Sequence, residues 1–307
     1  MKITIMGTGG VGGYFGGRLA QAGYDVNFVA RGAHLAALRE SGLRIESPAG
    51  DLHVPSIRVT DDPTEIGQTD LILLGVKLWD TEAAAAAIRP LIGPHTAVVS
   101  FQNSVVKDDI LRSLIPADHL IGGVGYIAAG IAQPGVIRHT GVMHKLVFGE
   151  YDGSVSERVA AFSKACQASG FDHEVSTDIR RSIWEKFVFL VGLSGTTATA
   201  RVPIGIIRSH PRSRAFLHDV MKEVVQVARA EGVALPADYA DQRLAFCDTV
   251  SPAMTSSMHH DLERGNRLEL PWLAGDVVAR GLRLGIPTPC NRAVFDILSV
   301  RSEGKPD

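Results

Sequence analysis

MKITIMGTGGVGGYFGGRLAQAG occupies residues 1–23. Its first apolar run, Lys2 to Met6, carries β-branched residues at Ile3, Thr4 and Ile5 and has the length of a buried parallel strand. Gly7, Gly9 and Gly12 follow as G-x-G-x-x-G, and a helix is predicted from about Val11 to Ala22, stopped by Gly23. The three glycines have separate physical uses. Gly7 makes the tight turn off the strand, Gly9 lets the backbone approach a pyrophosphate, and Gly12 lets helix and strand pack closely. The pyrophosphate would sit on the helix N-terminus, where free N–H groups and the helix dipole favour an anion. The alternative is a Gly-rich helix contact through Gly12, Gly13, Gly16 and Gly17 with no ligand. The candidate cofactor-binding residues of this loop are Gly7, Thr8, Gly9, Gly10, Val11 and Gly12.

A second strand is predicted at Asp25 to Val29 and ends at Ala30-Arg31. A site for NAD places Asp or Glu about twenty residues past the glycines, accepting from the ribose 2′-OH, whereas an arginine there suits the 2′-phosphate of NADP. Phe28, Val29 and Ala30 offer no carboxylate. NADPH is therefore the expected cofactor, with Arg31 at its phosphate; a solvated surface arginine is the alternative.

The 307 residues hold 31 basic and 33 acidic side chains, a net charge of −2. That length allows one large domain or two ordinary ones. The charge balance leaves no footprint for nucleic acid or an anionic membrane. Three cysteines, Cys166, Cys247 and Cys290, share no metal-binding or C-x-x-C spacing. No metal site and no disulfide framework is expected, and a reducing cytoplasm fits. No apolar stretch reaches the roughly eighteen residues that a membrane helix needs, and the glycine-broken first segment is not a secretory signal core.

Strands and helices alternate as far as a last strand at Phe171 to Val175. Ala33 to Glu40, Thr81 to Arg89, Lys107 to Leu114 and Ser154 to Ser169 read as helices; Leu71 to Val76, Ala97 to Phe101 and Leu120 to Tyr126 read as strands. Leu43 to Glu46 and Leu52 to Val54 flank Pro48-Ala49-Gly50 as a hairpin. Gly135 to His139 and Lys145 to Phe148 read as antiparallel strands with Thr140-Gly141 between them. This alternation predicts an α/β fold with a Rossmann-type, right-handed, doubly wound sheet. Beyond Thr177-Asp178 only helices are predicted: Arg181 to Thr199, Pro211 to Glu231, Pro236 to Val250, Pro252 to Arg264 and Pro271 to Leu284. The expectation is a dinucleotide-binding domain at residues 1–177 and an all-helical substrate and catalytic domain at 178–307, with the substrate in a cleft between them.

In order along the chain stand M-K-I-T-I-M-G-T-G-G-V-G-G-Y-F-G-G, Val76-Lys77, Gln102-Asn103, Trp184-Glu185-Lys186, and Ser256-Ser257-Met258 followed by Glu269. With these motifs the chain resembles the 2-dehydropantoate 2-reductase (ketopantoate reductase) family from Met1 to about Pro289. The glycine loop alone fits many dehydrogenases; the W-x-K helix and the step from Ser257 to Glu269 are more specific. The resemblance implies NADPH-dependent reduction of ketopantoate to pantoate, in the route to pantothenate and coenzyme A, and a helical domain like that of 6-phosphogluconate dehydrogenase. It implies Lys186 and Glu269 as the catalytic residues. Lys186 would give a proton to the oxygen on which charge builds as hydride arrives, and Glu269 would lie near the substrate hydroxyl and the nicotinamide ribose. Lys77, Asn103, Ala128 and Glu269 match cofactor-side positions, Ala128 through its main chain. Lys186, Asn103, Leu190, Ser194 and Ser257 match substrate-side positions, Ser257 at the carboxylate. The amide of Asn103 offers both a donor and an acceptor, so it can hold a ribose hydroxyl and the keto oxygen together. Phe187, Val188 and Phe189 would desolvate Lys186 and make its proton easier to give. From the residues alone, a lysine snorkelling from an amphipathic helix is the alternative.

The family often carries asparagines four and eight residues after this lysine and another in a P-N-G turn; Leu190, Ser194 and Ile204 stand there in this chain. Those spacings keep Leu190 and Ser194 on the helical face of Lys186. A lost hydrogen bond to a substrate hydroxyl costs ~0.5–1.5 kcal/mol, so a paralogue acting on another, more apolar 2-oxo acid is the second expectation. Gln102-Asn103 is followed by Ser104-Val105 in place of the family's glycines, which predicts a stiffer loop. A non-catalytic NADPH-binding sensor is the third expectation, and Lys186 together with Glu269 argues against it. The expected partners are a small-molecule 2-oxo acid and at most a second copy in a homodimer, with no nucleic acid and no membrane.

Overall fold

The computed structural model describes residues 1–305. They fall into two compact units: Met1–Asn103 with Lys107–Ser182, and Ser104–Val106 with the chain from Ile183 onward. In the first unit the strands are β1 (Lys2–Met6), β2 (Asp25–Val29), β3 (Leu43–Glu46), β4 (Leu52–Val54), β5 (Arg58–Thr60), β6 (Thr69–Leu74), β7 (Ile92–Ser100), β8 (Leu120–Gln133), β9 (Val136–Gly149) and β10 (Asp172–Val175). Its helices are α1 (Gly10–Gln21), α2 (Gly32–Ser41), α3 (Thr81–Ala87), α4 (Val106–Leu114), whose first residue groups with the second unit, and α5 (Glu157–Ala168).

The strands form one sheet in the order β4-β3-β9-β8-β7-β6-β1-β2-β5, with β10 beside β9. From β8 through β7, β6, β1 and β2 to β5 every pairing is parallel; β9 runs antiparallel to β8. β1 lies inside the parallel run, and its side chains alternate between two buried faces. Ile3 and Ile5 pack with Tyr14, Phe15 and Phe28, while Met6 packs with Val29, Ile72, Leu74 and Ile88. Burial on both faces is why these strands read as continuous apolar runs. The expected class, a parallel α/β sheet followed by helices, is the one the chain adopts.

One hairpin departs from the expectation. β8 and β9 are single long strands joined through Pro134-Gly135, where Gly135 has φ +80°. Thr140-Gly141 is not the turn. The register steps there from Ile127↔His144 to Ala128↔Thr140, leaving the residues around Gly141 (φ +78°) as a bulge inside β9. The segment expected to lie between two strands is instead a glycine bulge within one strand.

α6 (Ile179–Ala200) begins in the last residues of the first unit and carries the chain into the second. There follow α7 (Ile204–Ser209), α8 (Pro211–Ala230), α9 (Tyr239–Thr249), α10 (Ser257–Arg264), α11 (Ala274–Leu284) and α12 (Pro289–Ser299). Two helix starts differ from the reading above. The helix expected from Pro252 starts at Ser257, because the Ser256 hydroxyl caps it by accepting from the His259 N–H at 3.1 Å. The helix expected from Pro271 is a 3-10 turn at Leu270–Trp272 and then α11, separated by Leu273 at φ −108°, ψ −100°. α7, α12 and the edge strand β5 were not anticipated, although Pro289 at the start of α12 is a common first helical residue.

Candidate functional site

β1 ends against the glycine loop. Gly7 sits at φ +99°, and a Cβ there would lie 2.7 Å from both the Val76 nitrogen and its side chain. The Gly7 and Thr8 N–H groups donate to the Val29 carbonyl at 3.3 and 3.1 Å, and the Thr8 hydroxyl donates to the same oxygen at 2.9 Å. The turn is thereby tied to the end of β2. The first intrahelical bond of α1 runs from the Gly13 N–H to the Gly9 carbonyl at 2.7 Å. The N–H groups of Gly10, Val11 and Gly12 precede it, as the leading donors of a helix do.

Side-chain space around the loop is distributed unevenly. A Cβ on Gly10 would collide with the Ala129 carbonyl of β8, and one on Gly12 with the Gly7 carbonyl. A Cβ on Gly9 would meet only the Gly75 carbonyl, at 4.0 Å. The flanks are closed and the space over Gly9 is open, in front of a helix N-terminus with no acidic residue in its first turn. A pyrophosphate fits that combination of room and bare donors.

Other cofactor-side candidates stand on the same unit. Arg31 is exposed at the N-cap of α2, with its Nη1 3.9 Å from Asp80 Oδ1. Lys77 follows β6, and its Nζ lies 5.5 Å from the centroid of the Trp79 ring. Ala128 lies in β8 at the register step, where its carbonyl accepts from the Thr140 hydroxyl at 3.4 Å. Asn103 is half-buried just past β7. Its neighbour Gln102 is buried and braces the loop: its amide nitrogen donates to the Val76 carbonyl at 3.0 Å and to Thr81 Oγ1 at 2.8 Å, and its amide oxygen accepts from the Ser100 hydroxyl at 2.9 Å. The ends of β6 and β7 are thus locked together beside Asn103.

In the second unit, Lys186, Leu190 and Ser194 lie at four-residue steps on α6 and so share a face. Lys186 and Leu190 are half-buried; Ser194 is buried, and its hydroxyl has no hydrogen-bond partner. Two residues before Lys186, Trp184 is buried edge-on against Phe187 (5.6 Å, 89°), with the Arg280 guanidinium 5.7 Å from its ring. Arg280 is itself held by Asp276 at 2.8 Å and Glu231 at 3.0 Å. The helix is pressed by its neighbours at two glycines: a Cβ on Gly192 would lie 2.5 Å from Met221 of α8, and one on Gly195 3.2 Å from Val294 of α12. Ile204 is fully buried.

Glu269 is buried immediately before the Leu270–Trp272 turn. Ser104, the residue after Asn103, groups with this unit, and its hydroxyl donates to the Trp272 carbonyl at 2.9 Å. Ser257 is exposed at the first position of α10. α10 is fastened to α6 by the buried His259, whose Nδ1–H donates to the Thr197 carbonyl at 2.9 Å. Arg280, His259 and His34 were not singled out from sequence, and Gln102 only as part of the Gln102-Asn103 motif. Each acts through a partner twenty or more residues away, which local pattern does not register. Among the described residues no three His, Cys, Asp or Glu side chains group as metal ligands, and no helix is long and apolar enough to cross a membrane.

A parallel α/β sheet with open space over Gly9 is thus followed by a helical unit that holds a half-buried Lys186 and a buried Glu269. Residues 3–153 match the family Ketopantoate reductase PanE/ApbA, and residues 178–302 match Ketopantoate reductase PanE/ApbA C terminal. The chain is 33% identical over 301 residues to the 2-dehydropantoate 2-reductase of Halobacterium salinarum, covering 97% of this chain and 98% of that one. It is 30% identical over 297 residues to the uncharacterized oxidoreductase YkpB of Bacillus subtilis, covering 96% and 97%. A crystal structure of a PanE/ApbA family ketopantoate reductase from Ralstonia eutropha JMP134 is 36% identical and superposes with a TM-score of 0.89 over 98% of each chain. The chain belongs to the ketopantoate reductase family, and it is an oxidoreductase acting on a 2-oxo acid and its 2-hydroxy acid.

Proposed function

We propose that the chain reduces 2-dehydropantoate to pantoate with NADPH, supplying pantothenate and so coenzyme A in the cytoplasm. Residues 1–177 would serve as the cofactor domain and 178–307 as the substrate and catalytic domain. The observation that carries the reading is Lys186, half-buried on α6 behind an anchored Trp184, in a chain that also holds an open phosphate cradle at Gly9.

NADPH, when bound, supplies a hydride to the keto carbon. The chain's part is to bind, orient and protonate. The N–H groups of Gly10, Val11 and Gly12 hold the pyrophosphate, and Arg31 holds the 2′-phosphate by charge-assisted hydrogen bonds. Lys77 and the Ala128 main chain complete the cofactor side. Asn103 bridges the ribose and the keto oxygen. Lys186 Nζ delivers a proton to that oxygen, so that one hydride and one proton convert C=O to CH–OH. A positioned acid of this kind is typically worth ~10²–10⁴ in rate. Glu269 accepts from the substrate hydroxyl, and Ser257 donates to its carboxylate.

A second reading has a specific basis. Leu190 stands one turn from Lys186, and the Ser194 hydroxyl is buried, which suits a more apolar 2-oxo acid than ketopantoate. Following NADPH oxidation with ketopantoate and a panel of branched and aryl 2-oxo acids separates the two. Ketopantoate with the highest kcat/KM supports the first reading, an apolar acid with the highest supports the second, and NADPH binding with no oxidation by any of them overturns both.

A further inference from the structure

His34 has no part in the reading above, yet it touches the phosphate loop. It lies half-buried in the first turn of α2. Its Nε2 is 2.8 Å from the Thr8 carbonyl, and its Nδ1 is 3.0 Å from the Gly135 nitrogen. A backbone N–H can only donate, so Gly135 assigns the lone pair to Nδ1 and the proton to Nε2. The Thr8 carbonyl therefore accepts. Burial lowers the pKa of this imidazole, and the bond to Thr8 partly opposes that; the neutral ring is the form both contacts require.

The two contacts join parts of the fold that define the phosphate space. Gly135 is the turn of the β8–β9 hairpin, and its own carbonyl accepts from the Arg44 N–H of β3 at 3.0 Å. β8 of that hairpin closes over α1 at Gly10, where Ala129 leaves no room for a Cβ. On the loop side, the Thr8 carbonyl and the Gly9 N–H belong to one planar trans peptide and point in opposite directions. Holding the carbonyl on His34 fixes the plane of that peptide and with it the direction of the Gly9 N–H. Without that hold, the peptide is free to present an oxygen to an anion.

We propose that His34 is a positioning residue for the dinucleotide: through the Thr8 carbonyl and the Gly135 N–H it fixes the peptide that aims the Gly9 N–H and ties the phosphate loop to the hairpin beside it. This rests on the cofactor reading given above. It differs from a packing role, because it requires one tautomer and acts on cofactor affinity rather than on turnover.

The experiment compares wild type, H34A and H34Q. A glutamine carries both a donor and an acceptor and is the conservative replacement. NADPH titration gives affinity, steady-state kinetics give kcat at saturating NADPH, and the ¹⁵N shifts of the His34 ring are read in the ligand-free protein. The expected result is an Nε2–H neutral ring, an H34A dissociation constant raised about tenfold with kcat within about twofold of wild type, and H34Q restored to within about threefold. An Nδ1–H ring overturns the role, as does an H34A variant that melts earlier but binds NADPH like wild type, or an H34Q no better than H34A. A wild-type chain that binds no nicotinamide cofactor overturns the functional reading itself, a result distinct from each of these.

Discussion

α1 and α6 are both helices seated by glycines, and they put the glycines to different uses. In α1, Gly16 admits Ile5 and Phe28 and Gly17 admits Ile45, each within 2.7 Å of where a Cβ would stand. Nearer the N-terminus, Gly9 leaves open space before bare N–H groups. On the proposed reading, the binding group there is backbone. In α6, Gly192 and Gly195 seat Met221 and Val294, and the close packing holds a row of side chains, Lys186, Leu190 and Ser194, on one face. On the proposed reading, the reacting group there is a side chain, that of Lys186. Changes to the first helix should therefore register in affinity, and changes to the second in rate or in choice of substrate.

The largest expected effect is on the second helix. Lys186→Ala should lower kcat by roughly 10²–10⁴, the usual worth of a positioned acid. Reductive activity of the wild type should fall at high pH, where an ammonium loses its proton, and that limb should be missing from the variant. A variant that retains the limb assigns the acid to another group.

Next comes the loop. Gly9→Val should weaken NADPH by about 100-fold, since displacing the pyrophosphate forfeits charge-assisted bonds of ~1.5–3 kcal/mol each. Its melting temperature should stay near wild type, because only the Gly75 carbonyl approaches that position. Gly12→Ala should instead melt earlier, because its Cβ meets the Gly7 carbonyl. Equal melting temperatures for the two variants would erase the distinction between an open and a closed glycine.

Arg31→Ala should cost about tenfold in NADPH affinity and little in NADH affinity, one charged contact at ~1.5–3 kcal/mol partly screened by solvent. Titrating both cofactors into both proteins checks it, and an unchanged NADPH affinity removes Arg31 from the site.

The smallest effect is at Leu190. Leu190→Asn should raise the kcat/KM ratio of ketopantoate to an apolar 2-oxo acid by several-fold, the scale of one neutral hydrogen bond at ~0.5–1.5 kcal/mol. An unchanged ratio means that the residue does not meet the substrate.

The two regions also differ in how far they could be read in advance. The loop was legible because its requirements are local. Strand length, the two spacings between three glycines and a helix start all lie within Lys2–Gln21. The parallel core was legible for a similar reason, since Leu71–Leu74 and Ala97–Val99 are buried on both faces. Lys186 could be singled out only through the Trp184-Glu185-Lys186 resemblance. Nothing in a lysine on a helix announces that Arg280, nearly a hundred residues later, braces the tryptophan beside it. The β8–β9 hairpin was misplaced because Gly135 and Gly141 carry the same local signal, positive φ, and only long-range pairing decides which is turn and which is bulge. His34 was invisible for the same reason: its two partners are 26 and 101 residues away.

The central claim, that binding rests on the backbone at Gly9 and reaction on the side chain of Lys186, is tested most directly by titrating NADPH into Lys186→Ala. The account predicts a dissociation constant within about threefold of wild type, less than 1 kcal/mol, in a protein whose turnover is nearly abolished. A dissociation constant raised as far as that of Gly9→Val would contradict it.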